Sequence, residues 1–86
     1  MEIEFTPTAD KDLKYWKKIN DEVVLKRIRA LLESMLEDPY SGIGNPEKLK
    51  YELQGKMSRR INNKHRIIYE VHKKFLLVHS LRGHYY

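Results

Sequence analysis

Seven polar residues stand out in the 86-residue chain for the chemistry their types allow. Glu47 and Lys50 occur in "NPEKLK", Arg59 and Arg60 in "SRRI", Arg66 in "HRIIYEV", and His84 and Tyr85 in "RGHYY". A carboxylate and an imidazole are suitable general acid–base partners. Arginine grips phosphate through two parallel N–H bonds, and lysine offers a point charge. A tyrosine ring stacks on a base. Cleavage of an RNA strand by its own 2′-hydroxyl needs a base for the 2′ proton, an acid for the departing 5′ oxygen and cations for the phosphorane charge. These residue types cover that set. No spacing among them is a closed motif, so a cluster of surface charges remains an alternative on residue types alone.

Other chemistries are poorly served. The chain has no cysteine, which removes disulfides and thiolate metal sites. His65, His72, His79 and His84 show no metal-ligand spacing, so no metal site is expected. Without a Walker loop, G-x-G-x-x-G or G-x-S-x-G, neither a nucleotide cofactor nor a serine nucleophile is expected, and no cofactor is assigned. Charge is unevenly distributed. Residues 1–47 carry 7 Lys/Arg against 10 Asp/Glu, whereas residues 48–86 carry 10 against 2. A second half at +8 points to a polyanionic partner, most simply nucleic acid. "MEIEFTPTAD" lacks the charged and apolar regions of a signal peptide. Apolar runs are too short to span a membrane. A cytoplasmic location is the expectation.

The elements that must position these residues follow from periodicity. The length fits a single domain, residues 1–86. "EIEF" alternates as a first strand. Thr8 is expected to cap a helix through Leu13 and Trp16, and Asn20-Asp21 to end it and cap the next. Val24, Ile28, Leu31, Leu32, Met35 and Leu36 form an apolar stripe on that second helix, which Pro39 stops. "PYSGIGNPE", residues 39–47, is a loop. Four strands follow: "KLKYEL", "MSRRIN", "HRIIYEV" and "FLLVHSL", with turns at Gln54-Gly55, at "NK" and at Lys73-Lys74. The order β-α-α-β-β-β-β predicts an α+β domain with both helices on one face of a mainly antiparallel sheet. Side chains alternate along a strand, so Arg59 and Arg60 point to opposite faces and at most one belongs to a site.

The pattern G-x-P-E-x-L-K, L-x-G-x-x-S-R-R-I, H-R-I-x-Y and R-x-H-Y, over residues 44–85, resembles the YoeB/Txe family of toxins in the RelE/ParE superfamily. The resemblance implies two helices packed on a curved antiparallel sheet. It implies a toxin of a type II toxin–antitoxin system, a ribosome-dependent endoribonuclease that cuts messenger RNA in the decoding site and so inhibits translation. It assigns Glu47 as general base, His84 as general acid and Arg66 as the group that stabilises the scissile phosphate. Lys50, Arg60 and Tyr85 would bind or orient RNA. The implied partners are mRNA, the ribosome and a cognate YefM/Axe-like antitoxin, with monomer and homodimer both open. A non-catalytic ParE-like binding toxin, or an RNA-binding translation inhibitor, are the alternatives.

Overall fold

The computed structural model describes residues 1–83. Its elements are β1 (Glu2–Phe5), α1 (Pro7–Lys18), α2 (Glu22–Glu37), β2 (Glu47–Lys48), a 3-10 turn (Tyr51–Leu53), β3 (Met57–Arg60), β4 (Arg66–Val71) and β5 (Phe75–Ser80). The five strands form one sheet in the order β1-β5-β4-β3-β2. β1 runs parallel to β5, and the other three pairings are antiparallel. The expected α+β architecture is present, with two helices against one face of a mixed sheet.

Thr6 rather than Thr8 caps α1. Its hydroxyl accepts the Ala9 N–H at 3.1 Å, and Pro7 takes the first helical position, where its missing N–H costs nothing. Asp21 caps α2 as expected, accepting the Val24 N–H at 3.1 Å. On α2 the buried stripe is Val24, Ile28, Leu31 and Met35. Leu32 is only half-buried and Leu36 is 43% exposed. Each follows a core residue by one position, about 100° around the helix, and so falls at the stripe's margin. The stripe packs with Ala9 and Trp16 of α1 against Met57, Ile67, Tyr69, Leu76 and Val78 of the sheet. Ile67 and Tyr69 therefore face the helices, and Arg66, Ile68 and Glu70 face the other side.

Of "KLKYEL" only Lys48 lies in a strand. Pairing with β3 ends after Glu47 and Lys48, and the chain turns through Tyr51–Leu53 instead. Its alternate residues find no core: Lys48, Lys50 and Glu52 are exposed, while Leu49 and Leu53 are half-buried. With little apolar area removed from water, a longer edge strand gains nothing.

The loop after α2 is held from beneath by Arg59, which is fully buried. Its five N–H donors are all used. Nε donates to the Tyr69 hydroxyl at 2.9 Å. Nη1 reaches the Ser34 hydroxyl and the Ile43 carbonyl, at 2.8 and 3.1 Å. Nη2 reaches the carbonyls of Asp38 and Ser41, at 2.7 and 2.9 Å. The Tyr69 hydroxyl in turn donates to the Pro39 carbonyl at 2.7 Å. Farther along, the Gly44 carbonyl accepts the Arg60 N–H at 2.7 Å. Gly44 has φ +86, and a Cβ there would stand 2.6 Å from the Leu31 side chain. Only glycine lets the loop approach this closely.

Candidate active site

Three of the singled-out residues share one cleft. Glu47, Lys50 and Arg66 line a depression of about 350 Å³ together with Lys48, Leu49, Tyr51, Leu53 and Ser58. The register explains the meeting. Glu47 pairs with Ser58, and Ser58 pairs with Ile68, two residues beyond Arg66 on the same face of β4. Glu47 is exposed, and its Oε1 accepts a hydrogen bond from Asn45 Nδ2 at 3.0 Å. Arg60 is not among the lining residues, but it is the direct cross-strand partner of Arg66. Like charges opposite one another are unfavourable in a sheet. Such a pair fits a surface whose occupant is an anion.

The strand argument about the arginine pair holds. Arg60 is exposed, whereas Arg59 is turned to the helix side and spent on the loop carbonyls. Sequence reasoning missed that second role, since "SRRI" alone carries no sign of which arginine is buried. It also missed Tyr51. This residue is 88% exposed and has φ +58, a conformation uncommon for a non-glycine residue. Its position in a cleft of cations was hidden by the strand expected over residues 48–53.

His84 and Tyr85 lie outside the described residues. The segment leading to them is well tied. The Leu81 carbonyl accepts from Trp16 Nε1 and the Leu81 N–H donates to Asp12 Oδ2, both at 2.9 Å. The Arg82 guanidinium lies 3.6 Å over the Tyr15 ring. Gly83 donates its N–H to His65 Nδ1 at 2.8 Å and accepts the Arg66 N–H at 2.9 Å. Gly83 therefore sits beside the strand end that carries Arg66.

Away from the cleft, Glu70 joins His79 and His72. Glu70 Oε1 bonds His79 Nε2, and its Oε2 lies 3.5 Å from His72 Nε2. The bond to His79 holds the Glu70 carboxyl below its ordinary value, against the effect of burial, and the charges of His79, Lys56 and His72 add to it. Asp38, in the loop, is also lowered, by the Tyr40 N–H and the Ser41 hydroxyl. Among the described residues, no group of three or more His, Asp or Glu is placed to hold a metal ion, and no helix is long and apolar enough to cross a membrane.

Comparison with known proteins gives a consistent result. The family described as "YoeB-like toxin of bacterial type II toxin-antitoxin system" matches residues 5–85. The toxin YoeB of Synechocystis sp. is 45% identical over 85 residues, covering 99% of this chain and 98% of that one. Among solved structures, the heterotetrameric YoeB–YefM toxin–antitoxin complex of Staphylococcus aureus is similar at TM-score 0.89 and 42% identity, covering 99% of this chain and 98% of that chain. The YoeB dimer of the same organism is similar at TM-score 0.90, with the same identity and coverage. The sequence resemblance, the sheet order and the matched length agree, and the chain belongs to the YoeB-like toxin family of bacterial type II toxin–antitoxin systems.

Proposed function

We propose that this toxin is a ribosome-dependent mRNA endonuclease that inhibits translation and is silenced by a YefM-like antitoxin. The observation that carries the reading is the shared cleft of Glu47, Lys50 and Arg66. Glu47 takes the proton from a 2′-hydroxyl. The freed oxygen bonds to phosphorus as the bond from phosphorus to the 5′ oxygen breaks. His84 gives that oxygen its proton, leaving a 2′,3′-cyclic phosphate and a 5′-hydroxyl. Arg66 and Lys50 hold the charge that builds on the phosphoryl oxygens. Arg60 and Tyr85 bind or orient the strand, and the exposed Tyr51 ring offers a stacking surface for a base.

Support for His84 as the acid is its place in the sequence directly after Gly83, which is bonded to Arg66. Its role rests on the family resemblance and on that neighbour. The S. aureus complex supports an antitoxin that binds this chain in the same way, and the S. aureus dimer supports self-association.

Single-turnover cleavage of a message programmed in ribosomes tests the reading. Glu47→Gln and His84→Gln should each lower the rate by ~10²–10⁴. Thermal melting should change little, because Glu47 is exposed and removal of an exposed carboxylate is worth under about 0.5 kcal/mol. Near-wild-type cleavage by either variant removes that residue from the mechanism. A wild-type chain that blocks translation without creating 5′ ends inside the reading frame would make it a binding inhibitor.

A further inference from the structure

The bonds around Gly83 assign His65 a task that the cleft chemistry does not use. His65 ends the turn before β4, where its carbonyl accepts the Ile61 N–H at 2.9 Å and its N–H donates to Asn62 Oδ1 at 2.8 Å. Its ring stands edge-on to Trp16, with centroids 4.9 Å apart. Backbone and ring are thus both held, and Nδ1 receives the Gly83 N–H at 2.8 Å. An accepting Nδ1 carries no proton, so in the neutral ring the proton is on Nε2. The Gly83 carbonyl, which belongs to the peptide bond leading into His84, accepts the Arg66 N–H at 2.9 Å. A peptide unit is planar. Both polar groups of Gly83, one on each of its two peptide units, are therefore anchored. Between them Gly83 adopts φ +87, which costs glycine little and other residues much.

We propose that His65 is a positioning residue for the reaction, acting as the acceptor that sets the peptide from which the acid, His84, is presented. The inference rests on the reading of His84 as the acid. The anchor differs from the ties at Leu81 in one respect. Trp16 and Asp12 fasten the chain two residues earlier, whereas His65 and Arg66 act on the residue adjoining the acid. Displacement of a reacting group by about 1 Å costs on the order of 10²-fold in rate.

Three variants separate the acceptor from the ring. His65→Phe keeps an aromatic edge against Trp16 and loses the acceptor. His65→Asn places an amide oxygen on Cγ, where Nδ1 is bonded, and restores the acceptor. His65→Gln carries its oxygen one atom farther out and serves as the control if His65→Phe does not fold. Two readouts are needed: exchange of the Gly83 amide by NMR, and single-turnover cleavage on programmed ribosomes across ribosome concentrations. The expected result is loss of Gly83 protection in His65→Phe and His65→Gln. The maximal cleavage rate should fall on the order of 10²-fold with half-saturation unchanged, and His65→Asn should recover both. The proposal is overturned if His65→Phe or His65→Gln cleaves at the wild-type rate, or if His65→Asn is as impaired as they are. A wild-type chain that cleaves no ribosome-bound message defeats the functional reading instead, and Gly83 exchange then decides by itself whether His65 holds the segment.

Discussion

Glu47 and Glu70 are the same side chain in different surroundings. Glu47 is exposed and receives one amide hydrogen bond in a cleft that also holds Lys50 and Arg66. Glu70 is bonded to His79 and flanked by His72. Glu70→Gln should therefore leave cleavage within a few-fold of wild type, unlike Glu47→Gln. Its effect belongs to stability and pH. The folded Glu70 carboxyl lies below its ordinary value of 4.5, chiefly through the His79 bond. A carboxyl lowered on folding contributes stability above its unfolded pKa and loses it as pH falls through the folded value. Melting temperature should thus drop as pH is taken below about 4.5, and the drop should be shallower in Glu70→Gln. It should not vanish, because Asp38 is lowered as well. Identical acid slopes for the two proteins would show that the His79–Glu70 bond adds nothing to the fold in solution.

At the scale of elements, the loop between α2 and β2 is an ordered structure built around one buried guanidinium. Arg59 binds the carbonyls of Asp38, Ser41 and Ile43, and through Tyr69 it also reaches Pro39. Burial raises the Tyr69 phenol above its usual value, against the opposing influence of Arg59, so it stays a protonated donor to Pro39 at neutral pH. Replacing Arg59 by Met removes five donors from a buried position and unties the Tyr69 hydroxyl and the loop carbonyls together, which we expect to cost about 2–4 kcal/mol. Arg59→Lys should fall between, since three rotatable donors cannot reproduce a planar fork. Arg60→Met, on the exposed face, should stay within about 0.5 kcal/mol. Urea unfolding of the three variants checks this. Equal midpoints for the Arg59→Met and Arg60→Met chains would refute the pinning role. Cleavage should respond to both, to Arg60 through RNA contact and to Arg59 through the loop that delivers Glu47.

On the whole molecule, the balance of +8 over residues 48–86 sets how anions are met. Affinity for free single-stranded RNA should fall with salt, with a log–log slope of roughly −0.7 per phosphate contacted. Removing Lys50, Arg60 or Arg66 should each make that slope shallower by about one such step. Cleavage asks for more than attraction, because the 2′ oxygen, phosphorus and 5′ oxygen must lie in line. Correct orientation is worth on the order of 7–11 kcal/mol in the best intramolecular cases. The cleft has few groups with which to impose it, so the same message should be cut much faster in ribosomes than free. Equal rates would remove the ribosome from the proposal. The same basic face should attract an acidic antitoxin segment. Hydrogen exchange with and without antitoxin should then show new protection from Ser80 onward, and protection confined to α1 and α2 would place inhibition elsewhere.

Local pattern by itself determined much of this protein. The period of three to four located α2, the period of two put Arg59 and Arg60 on opposite faces, and Asp21 marked its own cap. Glu47, Lys50 and Arg66 were legible as candidates because their residue types and the family pattern need no pairing partner to be read. Three matters were decided only by the tertiary structure. The first strand runs parallel beside the last, with Glu2 opposite Phe75. The stretch after Lys48 becomes a turn, since propensity for a strand is realised only where a face is buried. The Arg59 guanidinium closes on the carbonyls of the loop after α2. Each depends on which distant surfaces and carbonyls are available to be covered or bonded. Trp16 and Leu81, joined by one hydrogen bond across 65 positions of sequence, are an instance that no local window contains.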